Sequence, residues 1–412
     1  MSEVLHKATL AHAAAPKLAI TPSAQKTAFL NRVAALLIEF QPLILTANNE
    51  DVHHNPQLTT ALMDRLTLSP KRIDGMAQAV RELAELPDPV GKVLSDITRP
   101  NGLHIRKVSV PMGVIAMIYE ARPNVTIDAA ALALKAGSAV ILRGGKEAIE
   151  SNKILARLLR QAAAETGLDP ELIQLIEDPN RTLAQELMTA NGLVDLLIPR
   201  GSARLIETVK THATVPILET GVGNCHAYVD ESADVEMALS VILNAKCSRP
   251  SVCNALEKVL VDVRIADTFI PQLAKALQEA GVEVRGDSVS CQLNTQIIPA
   301  TEADWDTEYL DLILAIKVVD ELDEALAHIA THGTHHSETI LTQNEDHALR
   351  FLTEVDAAAV YHNASTRFTD GGEFGMSAEI GISTQKMHAR GPVGLDELCS
   401  TKYLITGNGQ IR

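Results

Sequence analysis

Gly113-Val-Ile-Ala-Met-Ile118 is an unbroken apolar run, and Ser138-Ala-Val-Ile-Leu142 is a second one further on. Neither alternates between polar and apolar residues. Each therefore reads as a strand buried on both faces, the signature of a parallel sheet covered by helices. Between them, residues 127–135 are rich in Ala and Leu and stop at Gly137, which suits a crossover helix. Working outward, Gly144-Gly145 opens a long helix running to residue 164. Residues 172–176 and 194–198 are further strands with a helix between them. Pro216-Ile-Leu218 and His226-Ala-Tyr-Val229 continue the series. This alternation predicts a right-handed parallel α/β domain.

Beyond Glu231 the rhythm repeats: helix 233–244, strand 255–261, helix 264–280, strand 313–319, helix 322–331, strand 338–342, helix 346–354 and strand 358–361. A second α/β domain is expected there. Before the opening strand, residues 1–95 carry helical spacing. The apolar residues of 28–46 (Phe29, Val33, Leu36, Leu37, Phe40) line one face, with Pro42 able to kink or split the helix. A second pattern over 72–86 stops at Pro87-Asp-Pro89. Residues 103–110 alternate and predict an edge strand or an arm that pairs with another subunit. Residues 363–396, rich in Gly and polar residues, read as an active-site loop, and 401–406 as a short terminal strand.

The chain has 412 residues, 46% of them hydrophobic and 3% aromatic, which is ample for two cores. Its net charge of −16 argues against nucleic acid as a partner, and an anionic ligand would need a local cluster of positive charge. No run of about 20 apolar residues suggests a membrane span. The N-terminus has no apolar region followed by a cleavage site. Five scattered cysteines (Cys225, Cys247, Cys253, Cys291, Cys399), with no CxxC pair, suit a reducing cytoplasm and leave no structural zinc motif.

Two strand–turn–helix junctions, Val140-Ile-Leu-Arg-Gly-Gly-Lys146 and Leu197-Ile-Pro-Arg-Gly-Ser-Ala203, look like anion sites. Each places Gly or Ser at a helix N-terminus, where open N–H groups and the helix dipole favour phosphate. Arg143, Lys146 and Arg200 add positive charge. The plainer reading is turn and cap geometry; two such junctions in successive units favour a dinucleotide. Gly221-Val-Gly-Asn-Cys-His226 lacks the third glycine of a dinucleotide fingerprint. His335-His336-Ser337-Glu338 lacks the final His of an inverted zinc-peptidase motif, so it reads as a loop before a strand, solvated or lining a pocket. Cys253, in Asn244-Ala-Lys-Cys-Ser-Arg-Pro-Ser-Val-Cys-Asn-Ala-Leu-Glu257, precedes a strand. Such a cysteine is either a small buried hydrophobe or a thiolate at the mouth of a cleft, able to hold an acyl group.

Pro111-Met-Gly-Val-Ile-Ala…Pro123-Asn124…Ala136-Gly-Ser-Ala-Val-Ile-Leu-Arg143, followed by Arg200-Gly-Ser202, Glu219-Thr-Gly221 and Cys253, resembles the aldehyde dehydrogenase superfamily. Tyr119-Glu-Ala-Arg-Pro-Asn-Val-Thr126, Arg249-Pro-Ser-Val-Cys-Asn-Ala255, Glu373-Phe-Gly-Met-Ser-Ala-Glu-Ile-Gly-Ile-Ser-Thr384 and His388-Ala-Arg-Gly-Pro-Val-Gly-Leu395 are similar to one branch of it. That branch reduces L-glutamyl 5-phosphate to L-glutamate 5-semialdehyde with NADPH, releasing phosphate, in proline biosynthesis. The resemblance implies an α/β fold with a Rossmann-type NADP-binding domain over 1–230, plus a return segment near 362–396. It implies an α/β catalytic domain over 231–361 and a small oligomerisation flap made of strands 103–110 and 401–406. A cytoplasmic homo-oligomer with no membrane partner, open to channelling from a glutamate kinase, is the expected setting.

The resemblance further implies Cys253 as the nucleophile and Asn124 as the oxyanion donor, although Asn124 could also serve as a helix N-cap. Gly201 and Ser202 match the pyrophosphate turn. Glu308 falls near the glutamate that holds the nicotinamide ribose, a surface role being the alternative. Lys146 stands where many members carry a Glu for the adenosine ribose hydroxyls; with Arg143 beside it, NADP(H) is expected over NAD. Arg122 and Arg249 are candidates for binding the acyl phosphate. Glu219 matches the deacylating base of hydrolytic members but the sequence after it diverges, so it could position substrate or be structural. A hydrolytic aldehyde dehydrogenase and a non-catalytic nucleotide-binding protein are the alternatives.

Overall fold

The computed structural model describes residues 1–376 and 378–412. Ser377, inside the Glu373–Thr384 motif, lies outside the described residues. The chain forms two compact units: residues 1–220 with 375–381 and 393–412, and residues 221–374 with 382–392.

In the first unit, five helices come first: α1 Glu3–Leu18, α2 Ser23–Glu39, α3 Gln41–His54, α4 Thr60–Leu66 and α5 Pro70–Glu85. The expected 28–46 helix is split between α2 and α3, with Pro42 in the first turn of α3, where its missing N–H costs nothing. Strands β1 Val93–Thr98 and β2 His104–Pro111 follow. The latter pairs antiparallel both with β1 and with the C-terminal strand Cys399–Thr406. β1 is absent from the sequence reading because it is almost wholly exposed and carries no buried face to impose a pattern.

Next come β3 Val114–Tyr119, α6 Pro123–Lys135, β4 Ala139–Arg143, α7 Ile149–Glu165, β5 Ile173–Leu175, α8 Arg181–Met188, β6 Leu196–Arg200 and α9 Ala203–His212. The strands form a parallel sheet in the order β5-β4-β3-β6. Every residue of β3 is buried, as its unbroken apolar run requires. Full burial of each aliphatic side chain contributes about 1.5–3 kcal/mol. α6 begins at Pro123, whose fixed φ suits the first helical position, and ends before Gly137, which has φ +78°. A Cβ on Gly137 would also crowd Pro111.

The second unit is built from β7 Cys225–Val229, α10 Val235–Cys247, β8 Leu256–Asp262, α11 Val263–Glu279, β9 Glu283–Gly286, α12 Ser288–Leu293, β10 Ile298–Pro299, α13 Glu302–Asp306, β11 Ile313–Val319, α14 Leu322–His332, β12 Ser337–Leu341, α15 Glu345–Glu354 and β13 Ala359–His362. Its sheet runs β10-β9-β11-β8-β7-β12-β13, with parallel pairings throughout. One face buries α10 and α11 against Val259, Val261, Leu314 and Ile316, and a smaller cluster holds Leu260, Ile340 and Phe351. The sequence reading assigned residues up to 230 to the cofactor side. β7 instead pairs with β8 and β12, so it belongs to the second unit. Likewise 382–392 stays with the second unit, and only 375–381 and 393–412 return.

Candidate active site

The first unit carries its chemistry at the C-terminal ends of its strands. Arg143 ends β4, with Nη2 donating to the Pro179 carbonyl at 2.8 Å. Its Nε is buried and lacks a hydrogen-bond partner among the described residues. Burial pushes this guanidinium below its ordinary pKa. Nearby, Asn152 Nδ2 is also buried without an acceptor and points at Gly144, where a Cβ would collide with it. Two orphaned donors beside a turn that excludes side chains suit an oxygen-rich ligand. Lys146 stands exposed at the start of a short 3-10 turn.

The helix N-termini themselves are not open. Asp51 of α3 accepts from Glu150 N at 3.1 Å and from Ser151 N at 2.8 Å, and so caps α7. At the second junction Glu120, just past β3, accepts from Ser202 N at 2.7 Å. Ser202 Oγ in turn caps α9 by accepting from Leu205 N. Carboxylates thus engage the Glu150 and Ser151 N–H groups at the first junction and the Ser202 N–H at the second.

Asn124 is not a helix N-cap. It is the second residue of α6, and Arg122 takes the cap position without a side-chain cap bond. The Asn124 amide donates instead to Asp128 at 2.9 Å. Glu219 forms an ion pair with Lys210 of α9 at 3.1 Å.

In the second unit the Cys253 loop precedes β8 and is fixed from several sides. Asn254 Nδ2 donates to the Thr369 carbonyl at 2.9 Å, and Thr366 Oγ1 donates to the Asn254 carbonyl at 2.7 Å. The Cys225 thiol, first residue of β7, donates to the Cys253 carbonyl at 3.3 Å. Burial holds that thiol well above its ordinary pKa, so it stays a donor. Gly223 packs so closely that a Cβ there would overlap the Cys253 carbonyl. Cys253 is neither fully buried nor fully exposed.

Glu308 joins this group: its Oε1 accepts from Gly223 N at 2.8 Å. Its segment is held by buried charges on β8. Lys258 Nζ donates to the Thr307 carbonyl at 2.8 Å, and Glu257 Oε1 accepts from Leu310 N at 3.2 Å. Glu257 is paired with the fully buried Lys246 at 2.9 Å. Burial raises the Glu257 carboxyl and lowers the Lys258 amine from their ordinary values.

Arg249 is exposed on the Cys253 loop. Sequence reasoning missed its neighbour Arg367, which bonds Asn254 Oδ1 and reaches Ser248 Oγ at 3.2 Å. Burial lowers the Arg367 pKa, with the charge of Arg249 adding to the effect. Its one available signal was being a cation in the Gly-rich 363–396 segment, a feature it shares with Lys386 and Arg390. His335 lies in the expected loop with φ +59°, whereas His336 is fully buried.

The sequence model of the aldehyde dehydrogenase family matches residues 2–297, and the chain belongs to that family. A γ-glutamyl phosphate reductase of Carboxydothermus hydrogenoformans is 56% identical over 414 aligned positions, covering 100% of both chains. The crystal structure of γ-glutamyl phosphate reductase from Thermotoga maritima superposes with a TM-score of 0.98 at 48% identity, again over 100% of both chains. Within the family the chain falls in this branch, as an oxidoreductase of proline biosynthesis acting on a small molecule. An engineered glycolyl-CoA reductase with bound NADP+ shares the fold at TM-score 0.69 and 16% identity. The cofactor is a nicotinamide dinucleotide. No single helix among the described residues is long and apolar enough to cross a membrane.

Proposed function

We propose that this chain reduces L-glutamyl 5-phosphate to L-glutamate 5-semialdehyde and phosphate with NADPH, through a thioester on Cys253. The observation that carries the reading is the Cys253 loop, clamped by Gly223, Cys225 and Asn254 and flanked by Arg249 and Arg367. A nucleophile must be held near its attack geometry, and this loop has little freedom to move.

The Cys253 thiolate attacks the acyl carbon and phosphate departs with the bonding electron pair. Arg249 and Arg367 neutralise that leaving group; Arg122 is a further candidate. Bound NADPH supplies a hydride to the thioester carbon. Asn124 donates to the resulting oxyanion, together with the Cys253 backbone N–H. Collapse of the thiohemiacetal expels the thiolate and frees the aldehyde. Glu308 holds the nicotinamide ribose. Arg143, with its orphaned Nε, and Lys146 bind the 2′-phosphate, favouring NADP over NAD. Arg200, Gly201 and Ser202 take the pyrophosphate once Glu120 swings away from Ser202 N. The antiparallel strands β1, β2 and Cys399–Thr406 serve as an oligomerisation flap.

Glu219 is read as a positioning or structural group rather than a deacylating base; Lys210 pairs with it. The test runs the reaction backwards. Steady NADPH formation from the semialdehyde should require inorganic phosphate, and Arg249→Ala should raise the phosphate concentration needed. Full-rate oxidation in phosphate- and arsenate-free buffer, with free glutamate formed, would assign a hydrolytic enzyme instead.

A further inference from the structure

α6 has thirteen residues, and eleven of them are buried. The two that keep some exposure are Asn124 and Asp128, four residues apart and so on one face of the helix. An acid in the middle of such a helix carries a desolvation cost that needs a reason. No ion pair holds Asp128 among the described residues. Its bonded partner is the Asn124 amide, with Nδ2 2.9 Å from Oδ2.

We propose that Asp128 is a positioning residue that fixes which end of the Asn124 amide faces the reacting acyl group. The proposal rests on the reading of Asn124 as the oxyanion donor. A carboxamide presents a donor on one side and an acceptor on the other, and the two ends are nearly equal in shape. Turned the wrong way, it would set an oxygen against the oxyanion. A carboxylate only accepts, so it binds the NH₂ end and rejects the C=O end. One N–H is then spent on Asp128, and the second is left for the oxyanion. Burial pushes the Asp128 carboxyl up to about 6, while the Asn124 bond and the charge of Arg200 at the end of β6 pull it back. At neutral pH the group is therefore ionised and acceptor-only.

The informative variant is Asp128→Asn, which keeps the volume but can either donate or accept, so it no longer selects one orientation. Steady-state kinetics with generated acyl phosphate should show kcat lowered about ten-fold, against about a hundred-fold for Asn124→Ala. NADPH affinity by fluorescence quenching and the melting temperature should stay near wild type. In an Asn124→Ala background, Asp128→Asn should cost nothing more, because there is no amide left to orient. If Asp128→Asn keeps kcat within two-fold while Asn124→Ala loses activity, the positioning role is wrong and the oxyanion reading stands. If Asn124→Ala itself keeps full activity, both fall. Losses that multiply in the double variant would also overturn the proposal. Asp128→Ser, judged by the same criteria, replaces the Asn variant should that one fail to bind NADPH.

Discussion

The two units contain the same kind of sheet and carry their candidate site residues at opposite ends of it. In the first, Glu120, Arg143 and Arg200 stand at the C-terminal ends of β3, β4 and β6, or one residue beyond. This is where open α/β sheets usually bind ligands. In the second, the Cys253 loop and its supports gather at the N-terminal ends. Cys253 precedes β8, Asn224 precedes β7 and His336 precedes β12. The strands differ accordingly. β3 and β4 are apolar inside and polar only where they stop. β7, β8 and β12 are equally buried, yet they open with His226, Glu257, Lys258 and Glu338. His226 sits in register with Lys258 on one side and with Glu338 on the other. A sheet end that must brace a reactive loop from below needs directional bonds, and apolar packing provides none.

If the N-terminal end of the second sheet is the reacting end, Cys253→Ala should lower reduction by at least about 10³-fold. NADPH binding, measured by fluorescence, should stay intact. Substantial turnover by this variant would remove covalent catalysis from that end altogether.

The brace itself is tested by Gly223→Ala. The new methyl would push the Cys253 carbonyl, so kcat should fall about 10²-fold, as small displacements of reacting groups do. Wild-type kcat in a well-folded variant would show that the Gly223 contact does not position the nucleophile.

The first unit is tested through Lys146→Glu, which should lower kcat/KM for NADPH about ten-fold or more and leave NADH within a few-fold. An unchanged NADPH/NADH ratio would mean that the C-terminal end of β4 does not read the 2′-phosphate.

The smallest effect concerns acid stability. His328, buried against Trp305 and His226, has its pKa lowered from 6.5 to about 2, mainly by burial. Its folded form stays neutral while the unfolded form gains a proton, so stability is lost as pH falls below 6.5. Between pH 7 and pH 5 this amounts to about 2 kcal/mol. Glu338, raised by burial, acts in the opposite direction and offsets part of the loss. His328→Phe should flatten the fall in urea midpoint over that range; an identical fall in both proteins would show that His328 carries none of it.

Cys253, Asn124 and the cationic turns could be singled out as candidates because each sits in a short contiguous motif. Their surroundings were not. Asp51 caps α7 from 99 residues away, and nothing near Asp51 distinguishes it from a surface acid. Arg367 meets Asn254 across 113 residues, so this second arginine beside the Cys253 loop was invisible to spacing. Asp128 was missed although its partner Asn124 is local, because an acid on a helix ordinarily faces water.

By itself the sequence determined the parallel α/β architecture, since hydrophobic periodicity is set residue by residue and survives without knowledge of neighbours. It also placed β2 to β6 along the chain and singled out Cys253 as the candidate nucleophile. Only the tertiary structure decided that β7 joins the second sheet, that carboxylates already fill both helix N-termini, and that Lys246 pairs with Glu257 inside the core. Those outcomes depend on which distant groups are desolvated together, and the strength of a hydrogen bond or ion pair follows from that shared burial rather than from position along the chain.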